Sequence, residues 1–553
     1  MRYRSGVLGL SAALLVLLPM TLAASDASVS GIVVDDSTGK PIHMAYVTLS
    51  TTGSKPLDAS VYTDQNGAFE FNAVPPGHYY LNAGEERYQR VSLGAPTPGH
   101  YASVLTLGPG EIRQGIELRM KRLCAVSGVV LDPDGDPMRG IGVQLLVPTW
   151  IRGHKTWTPR HTAATNDRGE FRVHGVVAGR YFLCANARQT PVLTGRNYVM
   201  IGESEPDQVF GKVYYPNAAN IQNAQPLELK PGADIQDIVL RLPTTAAASI
   251  TGHVEAPVGL DTNTGFQVSF SPQDDTAGMP TTYGVGGGQQ LMLPALAPGH
   301  YTAITTLQGN DEYRGVDDVD LQPGPQNVVF HLQKGVRLAG HLELQGAAAD
   351  LPTFKVTLLP SDISPQFRRK NMEAAVAKDG TFAFASVTSG IWDINVEPVP
   401  KGGYIKSMKL GQQDVLTEDM NITASTSAPL NIVVSTRGGV LSGTVKMPEQ
   451  SSIDISAGEP RAVVLLAPFG RFSHVDSFRI IRSSEQDGKY ELRGITPGSY
   501  KLFAFEALDR NAVHDPDFLS RIDSLGKAVE VHEGESIKFD LDMLPAPPAM
   551  TEQ

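Results

Sequence analysis

Residues 69–83, FEFNAVPPGHYYLNA, decide how the rest of this sequence is interpreted. Apolar and polar residues alternate on both sides of the Pro-Pro-Gly break, a pattern that predicts two strands joined by a tight corner. The same frame returns four times, and each copy places a glycine two residues before an aromatic residue. The copies are FRVHGVVAGRYFLCA from Phe171, LMLPALAPGHYTAIT from Leu291, FAFASVTSGIWDINV from Phe382 and YELRGITPGSYKLFA from Tyr490. Such repetition predicts an array of one structural unit.

A second recurring element opens each unit. It is a short apolar strand containing a small residue followed by a glycine, and these glycines are Gly31, Gly128, Gly252, Gly340 and Gly443. The distance from this glycine to the corner glycine is 46 to 55 residues in the five copies. Turn-forming residues separate the short strands, and no convincing helical period is present. The pattern predicts an all-β fold, a tandem array of about five small antiparallel β-sandwich domains.

The predicted boundaries fall where one closing strand meets the next opening strand. They give five sandwiches, at residues 25–122, 123–246, 247–334, 335–437 and 438–543, and a disordered tail at residues 544–553. The second sandwich carries two segments that the other copies lack. We interpret both, at residues 149–162 and 186–225, as loop insertions.

The first 24 residues have the features of a secretory signal peptide: Arg2 and Arg4, then an apolar run, then the small residues Thr21 and Ala23. An uncleaved membrane anchor is the alternative, but the apolar run is short for a bilayer span. After signal removal we predict no membrane span and a secreted or periplasmic location, with association to the outer surface left open. The net charge of −12 argues against nucleic acid as a partner.

Several residues look like ligands or catalytic groups but fit the repeat better. The segment HEGE at 532–535 contains two groups that could bind zinc, yet it aligns with the turn at residues 108–111. Asp132, Asp134 and Asp136 alternate as in a calcium loop but lack the closing glutamate. No Gly-x-Ser-x-Gly nucleophile motif is present. We therefore predict no catalytic residue, no metal site, no cofactor and no enzymatic activity.

The corner aromatic residues are predicted to be structural. Their fixed place in the repeat indicates burial, with the polar tip of the ring bonded to the backbone, as in the tyrosine corner of immunoglobulin-like sandwiches. The alternative is a set of platforms for stacking ligands. The five residues are Tyr79, Tyr181, Tyr301, Trp392 and Tyr500.

The insertion at residues 149–162, TWIRGHKTWTPRHT, is the candidate binding site. It is locally basic and aromatic in an acidic chain, a composition suited to sugar rings or an anionic polymer. The alternative is an irregular loop whose tryptophans pack against a neighbouring domain. The second insertion, which contains Tyr198, Tyr214 and Tyr215, could lie beside it. The candidate binding residues are Trp150, Arg152, His154, Trp157, Arg160 and His161.

Cys124 and Cys184 are the only cysteines in the chain. Both lie near strand positions of the second repeat, and an exported protein meets oxidising conditions, so we predict a disulfide between them. Two buried free thiols are the alternative.

The opening and corner frames carry a family resemblance. Residues 30–50, SGIVVDDSTGKPIHMAYVTLS, and residues 63–83, TDQNGAFEFNAVPPGHYYLNA, together resemble the carboxypeptidase regulatory-like domain and, more loosely, the collagen-adhesin B-type repeat. Repeats three and four are degenerate versions of the pattern. The resemblance implies transthyretin-like or immunoglobulin-like sandwiches within a carbohydrate-binding-like superfamily. It also implies a non-catalytic accessory or binding module without peptidase activity.

These observations predict an exported, non-catalytic binding or scaffolding protein of carboxypeptidase regulatory-like type at the cell envelope. Its partner is left open between a polysaccharide and an envelope protein. One alternative is a polysaccharide-binding protein that uses the aromatic segment of the second sandwich. The other is an enzyme of unrecognised chemistry.

Overall fold

The computed structural model describes residues 26–52, 58–95, 102–151, 154–187, 208–260, 265–273, 281–285, 290–346, 353–361, 370–446, 462–469, 478–484 and 487–547. Their strands form five units, each with two facing sheets around its own hydrophobic core. The predicted all-β sandwich array is therefore confirmed. The predicted signal peptide and most of the predicted tail lie outside the described residues. That each unit is an independently folding domain with the predicted boundaries stays a prediction.

Unit 1 shows the architecture that the other units repeat. One sheet has the order β4-β1-β8, and the other has the order β3-β2-β5-β6 with β7 beside β5. The closing strand β8 runs parallel to the opening strand β1, whereas the other pairs are antiparallel. The strands are β1 (Ala27–Asp35), β2 (Tyr46–Thr51), β3 (Asp58–Tyr62), β4 (Ala68–Val74), β5 (Gly77–Glu85), β6 (Tyr88–Ser92), β7 (Leu105–Leu107) and β8 (Ile112–Met120).

Units 2 and 3 keep this plan, including the parallel closing strand. Unit 2 contains β9 (Cys124–Leu131), β10 (Gly142–Ile151), β11 (His154–Ala164), β12 (Glu170–Val176), β13 (Gly179–Asn186), β14 (Gln208–Phe210), β15 (Lys212–Tyr214), β16 (Leu227–Leu229) and β17 (Asp234–Arg241), and β18 (Thr244–Ala246) follows it. Unit 3 contains β19 (Ala248–Glu255), β20 (Phe266–Pro272), β21 (Thr281–Val285), β22 (Gln290–Leu296), β23 (Gly299–Leu307), β24 (Asn310–Leu321) and β25 (Gly324–His331), and β26 (Gln333–Lys334) follows it.

Units 4 and 5 also have a closing strand parallel to the opening strand. Unit 4 contains β27 (Val336–Gln345), β28 (Lys355–Pro360), β29 (Met372–Ala375), β30 (Thr381–Val387), β31 (Gly390–Glu397), β32 (Tyr404–Leu410), β33 (Gln413–Asp414), β34 (Met420–Ile422) and β35 (Leu430–Ser435). Unit 5 contains β36 (Gly439–Lys446), β37 (Val463–Pro468), β38 (Ile480–Ser483), β39 (Lys489–Ile495), β40 (Gly498–Phe505), α1 (Pro516–Ile522), β41 (Lys527–Val531), β42 (Ser536–Lys538) and β43 (Leu541–Asp542).

The repeated corner takes the chain from one sheet of a sandwich to the other. In unit 1 the strand before it, β4, pairs with β1, and the strand after it, β5, pairs with β2. The prediction for the five corner aromatics is confirmed, because each is buried and donates a hydrogen bond to the carbonyl four residues upstream. These bonds are Tyr79 to Pro75 at 2.6 Å, Tyr181 to Val177 at 2.9 Å, Tyr301 to Ala297 at 2.8 Å, Trp392 to Thr388 at 3.0 Å and Tyr500 to Thr496 at 2.6 Å.

In units 1 and 2 the opening glycine is explained by the parallel closing strand. A Cβ on Gly31 would collide with the carbonyl oxygen of Ile116 on β8, and a Cβ on Gly128 would collide with that of Ile238 on β17. The register of each parallel pair shifts next to these positions. The glycine therefore allows the closing backbone to approach the opening strand.

In units 2 and 5, further residues pack against the outer face of a sheet, and those of unit 2 are described with the candidate site below. In unit 5 the helix α1 packs over Phe503 and Phe505, and this helix was missed by the sequence analysis. Its signal was present, because Asp515 caps it by accepting a hydrogen bond from the Asp517 amide at 2.9 Å and a proline follows the cap. No helix in the described ranges is long and apolar enough to cross a membrane.

Candidate functional site

The candidate segment at residues 149–162 forms the end of a long hairpin, so its interpretation as a loop insertion is wrong. Strand β10 pairs with β11 from Gly142–Ala164 out to Ile151–His154. Both strands are rich in aromatic and β-branched residues, which suit a pleated surface better than an irregular loop. His154 begins β11, and Arg152 lies outside the described residues.

The two tryptophans share the outer face of this hairpin with Lys155. The Lys155 ammonium lies 5.6 Å from the Trp150 ring centroid and 5.0 Å from the Trp157 ring centroid, both within cation–π range. Trp157 also meets Phe182 edge to face, with ring centroids 4.7 Å apart. Its inner edge packs on a buried cluster that contains Leu146, Cys184, Tyr214 and Ile221. Trp157 is thus a packing residue, and Trp150 lies nearer the hairpin end.

Of the other predicted residues, the structure describes the side chains of His161 and Arg160. His161 is opposite Leu145, on the inner face of the sheet, and its ring is 6.2 Å from that of the core residue Tyr181. Burial and the nearby Arg160 charge lower the pKa of His161, which favours its neutral form. Arg160 is exposed at the register shift of the hairpin. The structure therefore places His161 on the opposite face of the sheet from Trp150 and Trp157.

The described part of the second insertion, at residues 208–225, lies beside the hairpin, as expected from the sequence. Tyr214 on β15 is in the same cluster as Trp157, and the 3-10 turn at Ile221–Asn223 adds Ile221. Tyr215 packs against the main core of unit 2 instead. Tyr198 lies outside the described residues.

The predicted disulfide between Cys124 and Cys184 is not formed. Cys124 lies in the core between the sheets, and its thiol donates to the Lys230 carbonyl at 3.1 Å. Cys184 is on β13 with its side chain on the opposite, outer face, in the cluster under Trp157. A sheet thus separates the two sulfur atoms, whereas a disulfide needs Cβ atoms about 4 Å apart. Burial raises the pKa of the Cys124 thiol and keeps it protonated.

The segments that resembled metal loops are turns. The Asp132 carboxylate accepts from the amides of Asp134 and Asp136 at 3.0 and 2.8 Å. In the HEGE segment, the Glu535 carboxylate accepts from the His532 amide at 3.0 Å. Within the described residues, no group of three or more His, Cys, Asp or Glu side chains is placed to hold a metal ion.

Sequence reasoning missed the residues that tie neighbouring units together. Between units 1 and 2, the Arg122 side chain donates to the buried Asp35 carboxylate at 2.8 Å and lies over the Tyr88 ring at 5.4 Å. The Arg122 carbonyl accepts from the Gly232 amide of unit 2 at 3.1 Å. The Leu123 amide donates to the Arg87 carbonyl of unit 1 at 2.9 Å. One linker is therefore bonded to both neighbours.

Asp35 is the electrostatic centre of this junction. Its side chain is 2% exposed. Burial alone would raise its pKa, but hydrogen bonds from Arg122, the Thr38 amide and Tyr88 outweigh burial and lower the pKa to about 2. Asp35 is thus a carboxylate at neutral pH, and it needs Arg122 as its counterion.

The next two linkers are paired as short strands. After unit 2, β18 pairs with β14 of the second insertion, and the Gly211 amide donates to the Pro243 carbonyl at 2.8 Å. After unit 3, β26 pairs with β24, and the Gly335 amide donates to the Glu312 carbonyl at 2.8 Å. Lys370 of unit 4 also forms an ion pair with Asp311 of unit 3 at 3.0 Å. These linkers contribute backbone hydrogen bonds, as regular strands do.

The junction between units 4 and 5 brings backbone segments of both units close to Gly438. A Cβ on Gly438 would lie 2.6 Å from the Gly402 carbonyl oxygen and 2.7 Å from the Gly494 Cα. The Glu533 carboxylate of unit 5 accepts from Ser435 at 2.8 Å and from Lys406 at 3.4 Å, both in unit 4. The Ser435 bond and the Lys406 charge lower the pKa of Glu533 despite burial, which raises it. The HEGE segment is thus used to join two units.

One sequence signal could have revealed these junctions. The links between closing and opening strands are only a few residues long, so a junction residue must contact both units. Which side chains do so depends on pairings such as Arg122 with Asp35, which are 87 residues apart in sequence.

Comparison with known proteins identifies part of the chain. Residues 28–111, which make up most of unit 1, match the family of the carboxypeptidase regulatory-like domain. No curated protein matches the sequence.

Solved structures with similarity to the chain are distant. The minor pilin GBS52 of Streptococcus agalactiae is 12% identical, with a TM-score of 0.21 over 39% of this chain and 95% of that chain. The major pilin subunit BcpA of Bacillus cereus is 12% identical, with a TM-score of 0.15 over 56% of this chain and 100% of that chain. A hydroxyquinol 1,2-dioxygenase of Pseudomonas putida is 15% identical, with a TM-score of 0.13 over 18% and 58%. The repeated topology shows a tandem β-sandwich protein, and its residues 28–111 match the carboxypeptidase regulatory-like domain.

Proposed function

We propose that this chain is an exported, non-catalytic binding and scaffolding protein of the cell envelope, in which tied junctions hold the units in fixed orientations. The observation that carries the proposal is that each linker is hydrogen-bonded to an adjoining unit. The linkers between units 1 and 2 and between units 4 and 5 are bonded to both neighbours, and the other two are paired with the preceding unit. Linkers of a flexible array remain solvated and unpaired. Hydrogen-bonded linkers instead restrict the motion of neighbouring units, which suits a scaffold that holds binding surfaces at fixed distances.

The repeated plan of the units supports a non-catalytic role. Residues that resembled ligands, such as Asp132 and Glu535, bond the backbone of their own turns. The partner that we propose is a polysaccharide or another envelope protein. The leader-like residues 1–24 support export through the envelope.

Pulsed electron paramagnetic resonance tests the fixed geometry directly. Spin labels on cysteines introduced at the exposed positions Asn72 in unit 1 and Asp167 in unit 2 report the distance between these units. The buried native cysteines should stay unlabelled in the folded chain. We expect a narrow distance distribution that broadens in Arg122→Ala, because this change removes the bond to Asp35.

Arg119→Ala is the matched control. It also removes an arginine that pairs with a carboxylate, but its partner Glu117 lies on the same strand. The distribution should stay narrow in this variant. A broad distribution in the unmodified junction would contradict the scaffold role. Mass analysis of the secreted protein tests export separately, through loss of residues 1–24.

Polysaccharide binding at the unit 2 hairpin is a second candidate. It is favoured by the position of Trp150 near the hairpin end beside the exposed Lys155. Trp150→Ala should weaken binding while leaving stability nearly unchanged. Trp157→Ala should instead destabilise unit 2, because Trp157 packs on Phe182 and the cluster below it. Equal binding by Trp150→Ala and the unmodified chain would exclude this site.

A further inference from the structure

The outer face of the five-stranded sheet of unit 1 carries an exposed aromatic pair. Tyr46 on β2 lies opposite Tyr62 on β3, with ring centroids 5.3 Å apart. Tyr46 is 40% exposed and Tyr62 is 60% exposed. Neither ring belongs to the core of unit 1, which is filled by the alternate residues of the same strands, including Val47 and Leu49.

The fold does not require aromatic residues at this place. The equivalent cross-strand pair can be located in every unit by its register with the corner aromatic. It is Gly142–Ala164 in unit 2, Gln267–Gly284 in unit 3, Lys355–Ala375 in unit 4 and Val463–Ser483 in unit 5. The two tyrosines are therefore a feature of unit 1 alone among these pairs, on an otherwise shared frame.

The two tyrosines belong to a row of cross-strand neighbours on β3, β2, β5 and β6. Tyr46 lies opposite Gly84 on β5, which has no side chain to fill the row. The Arg90 side chain from β6 lies beside Gly84, with its Nε 3.4 Å from the point where a Cβ of Gly84 would be. At the usual strand spacing of about 4.8 Å, the row spans about 14 Å. It offers two aromatic rings at one end and a guanidinium group at the other.

A parallel row of small polar side chains lies next to the aromatic row. Ser60, Thr48 and Asn82 are successive cross-strand neighbours on β3, β2 and β5. Asn82 accepts a hydrogen bond from Ser92 on β6 at 2.6 Å, which holds its amide in place. Hydroxyl and amide groups beside flat rings are the combination that binds a sugar, since the ring faces meet its C–H groups and the polar groups meet its hydroxyls.

We propose that this face of unit 1 binds a polysaccharide chain lying across the strands, with sugar rings on Tyr46 and Tyr62 and polar contacts from the Thr48–Asn82 row. Arg90 adds a place for a sugar carboxylate. The site is separate from the hairpin of unit 2, and it does not depend on the scaffold role proposed above.

Affinity electrophoresis of the full mature chain tests the proposal. The probes in the gel are dextran, hydroxyethylcellulose and polygalacturonate, which represent neutral α-linked, neutral β-linked and acidic chains. We expect retardation by at least one of them. Tyr46→Thr/Tyr62→Thr should weaken the binding at least tenfold, because threonine favours a strand but has no ring. Tyr46→Phe/Tyr62→Phe should retain most of the binding, since the ring faces remain.

Further variants separate this site from the alternatives. Arg90→Gln should reduce binding to polygalacturonate and leave binding to neutral chains unchanged. Tyr62→Thr alone keeps the test valid if the double variant unfolds, because Tyr62 is the more exposed ring. Failure of all three probes to retard the chain would overturn the proposal. So would retardation that is unchanged in the threonine variants but lost in Trp150→Ala, since this would assign the binding to unit 2.

Discussion

Replacement of Asp35 by asparagine tests the electrostatics of the first junction. The pKa of Asp35 is lowered from 3.8 to about 2. At 1.36 kcal/mol per pKa unit this shift corresponds to about 2.5 kcal/mol. The Arg122 side chain is 57% exposed, so solvent weakens the ion pair and about 2 kcal/mol is the better expectation. Asp35→Asn should reduce the free energy of unfolding of unit 1 by this amount at pH 7.

The pH dependence has a definite sign. A carboxyl group with a lowered pKa in the folded state stabilises the fold above its unfolded-state pKa, and this contribution is lost as the pH falls through the folded-state pKa. The difference between the unmodified chain and Asp35→Asn should therefore be constant above about pH 5. It should shrink between pH 3.8 and pH 2.

Methionine oxidation in urea can measure this effect in unit 1 alone. Met120 is fully buried in the core of unit 1, so its reaction with peroxide reports unfolding there. With a urea dependence of about 2 kcal/mol per molar, the oxidation midpoint of Asp35→Asn should fall by about 1 M at pH 7. Equal midpoints at pH 7, or a difference that persists unchanged at pH 2, would refute the reasoning.

Three other predictions follow from features described above. Trp392→Tyr should keep the hydrogen bond to the Thr388 carbonyl, as the tyrosines of the other corners do. Its free energy of unfolding should therefore exceed that of Trp392→Phe by about 1 kcal/mol, measured by the oxidation of the buried methionines of unit 4 in urea. Gly438→Ala should destabilise the junction of units 4 and 5 by about 1–3 kcal/mol, because the new Cβ meets backbone atoms on both sides, and amide exchange of residues 435–440 should accelerate. Cys124 and Cys184 should resist maleimide in the native chain and both react after unfolding without reductant; the recovery of a disulfide-linked peptide would contradict this expectation.

The repeated frame made the fold predictable from sequence. The position of Tyr79 relative to Gly77 sufficed to predict a buried ring and a polar tip bonded to the backbone, because both depend on local geometry. The role of Gly31 was not predictable in the same way. It depends on a closing strand that runs parallel to the opening strand, and alternation of residues does not distinguish parallel from antiparallel pairing.

The candidate site was less predictable because it depends on which face a side chain occupies. Trp150 and Trp157 share a face, but the register shift of the hairpin places His161 on the other one. The same limitation applies to Cys124 and Cys184, because their separation by a sheet depends on the tertiary structure. Tyr46 gave a usable signal, since strict alternation in AYVTLS puts an aromatic residue on the polar side of β2.

The parallel pairing of β1 with β8 has a mechanical consequence. Adjacent parallel strands begin at the same end of a sheet, so the chain comes into a unit at one end and departs from the other. With opening and closing strands of nine residues, unit 1 carries the chain forward by roughly 25 Å. Duplication of a unit would therefore add one such step to the path of the chain.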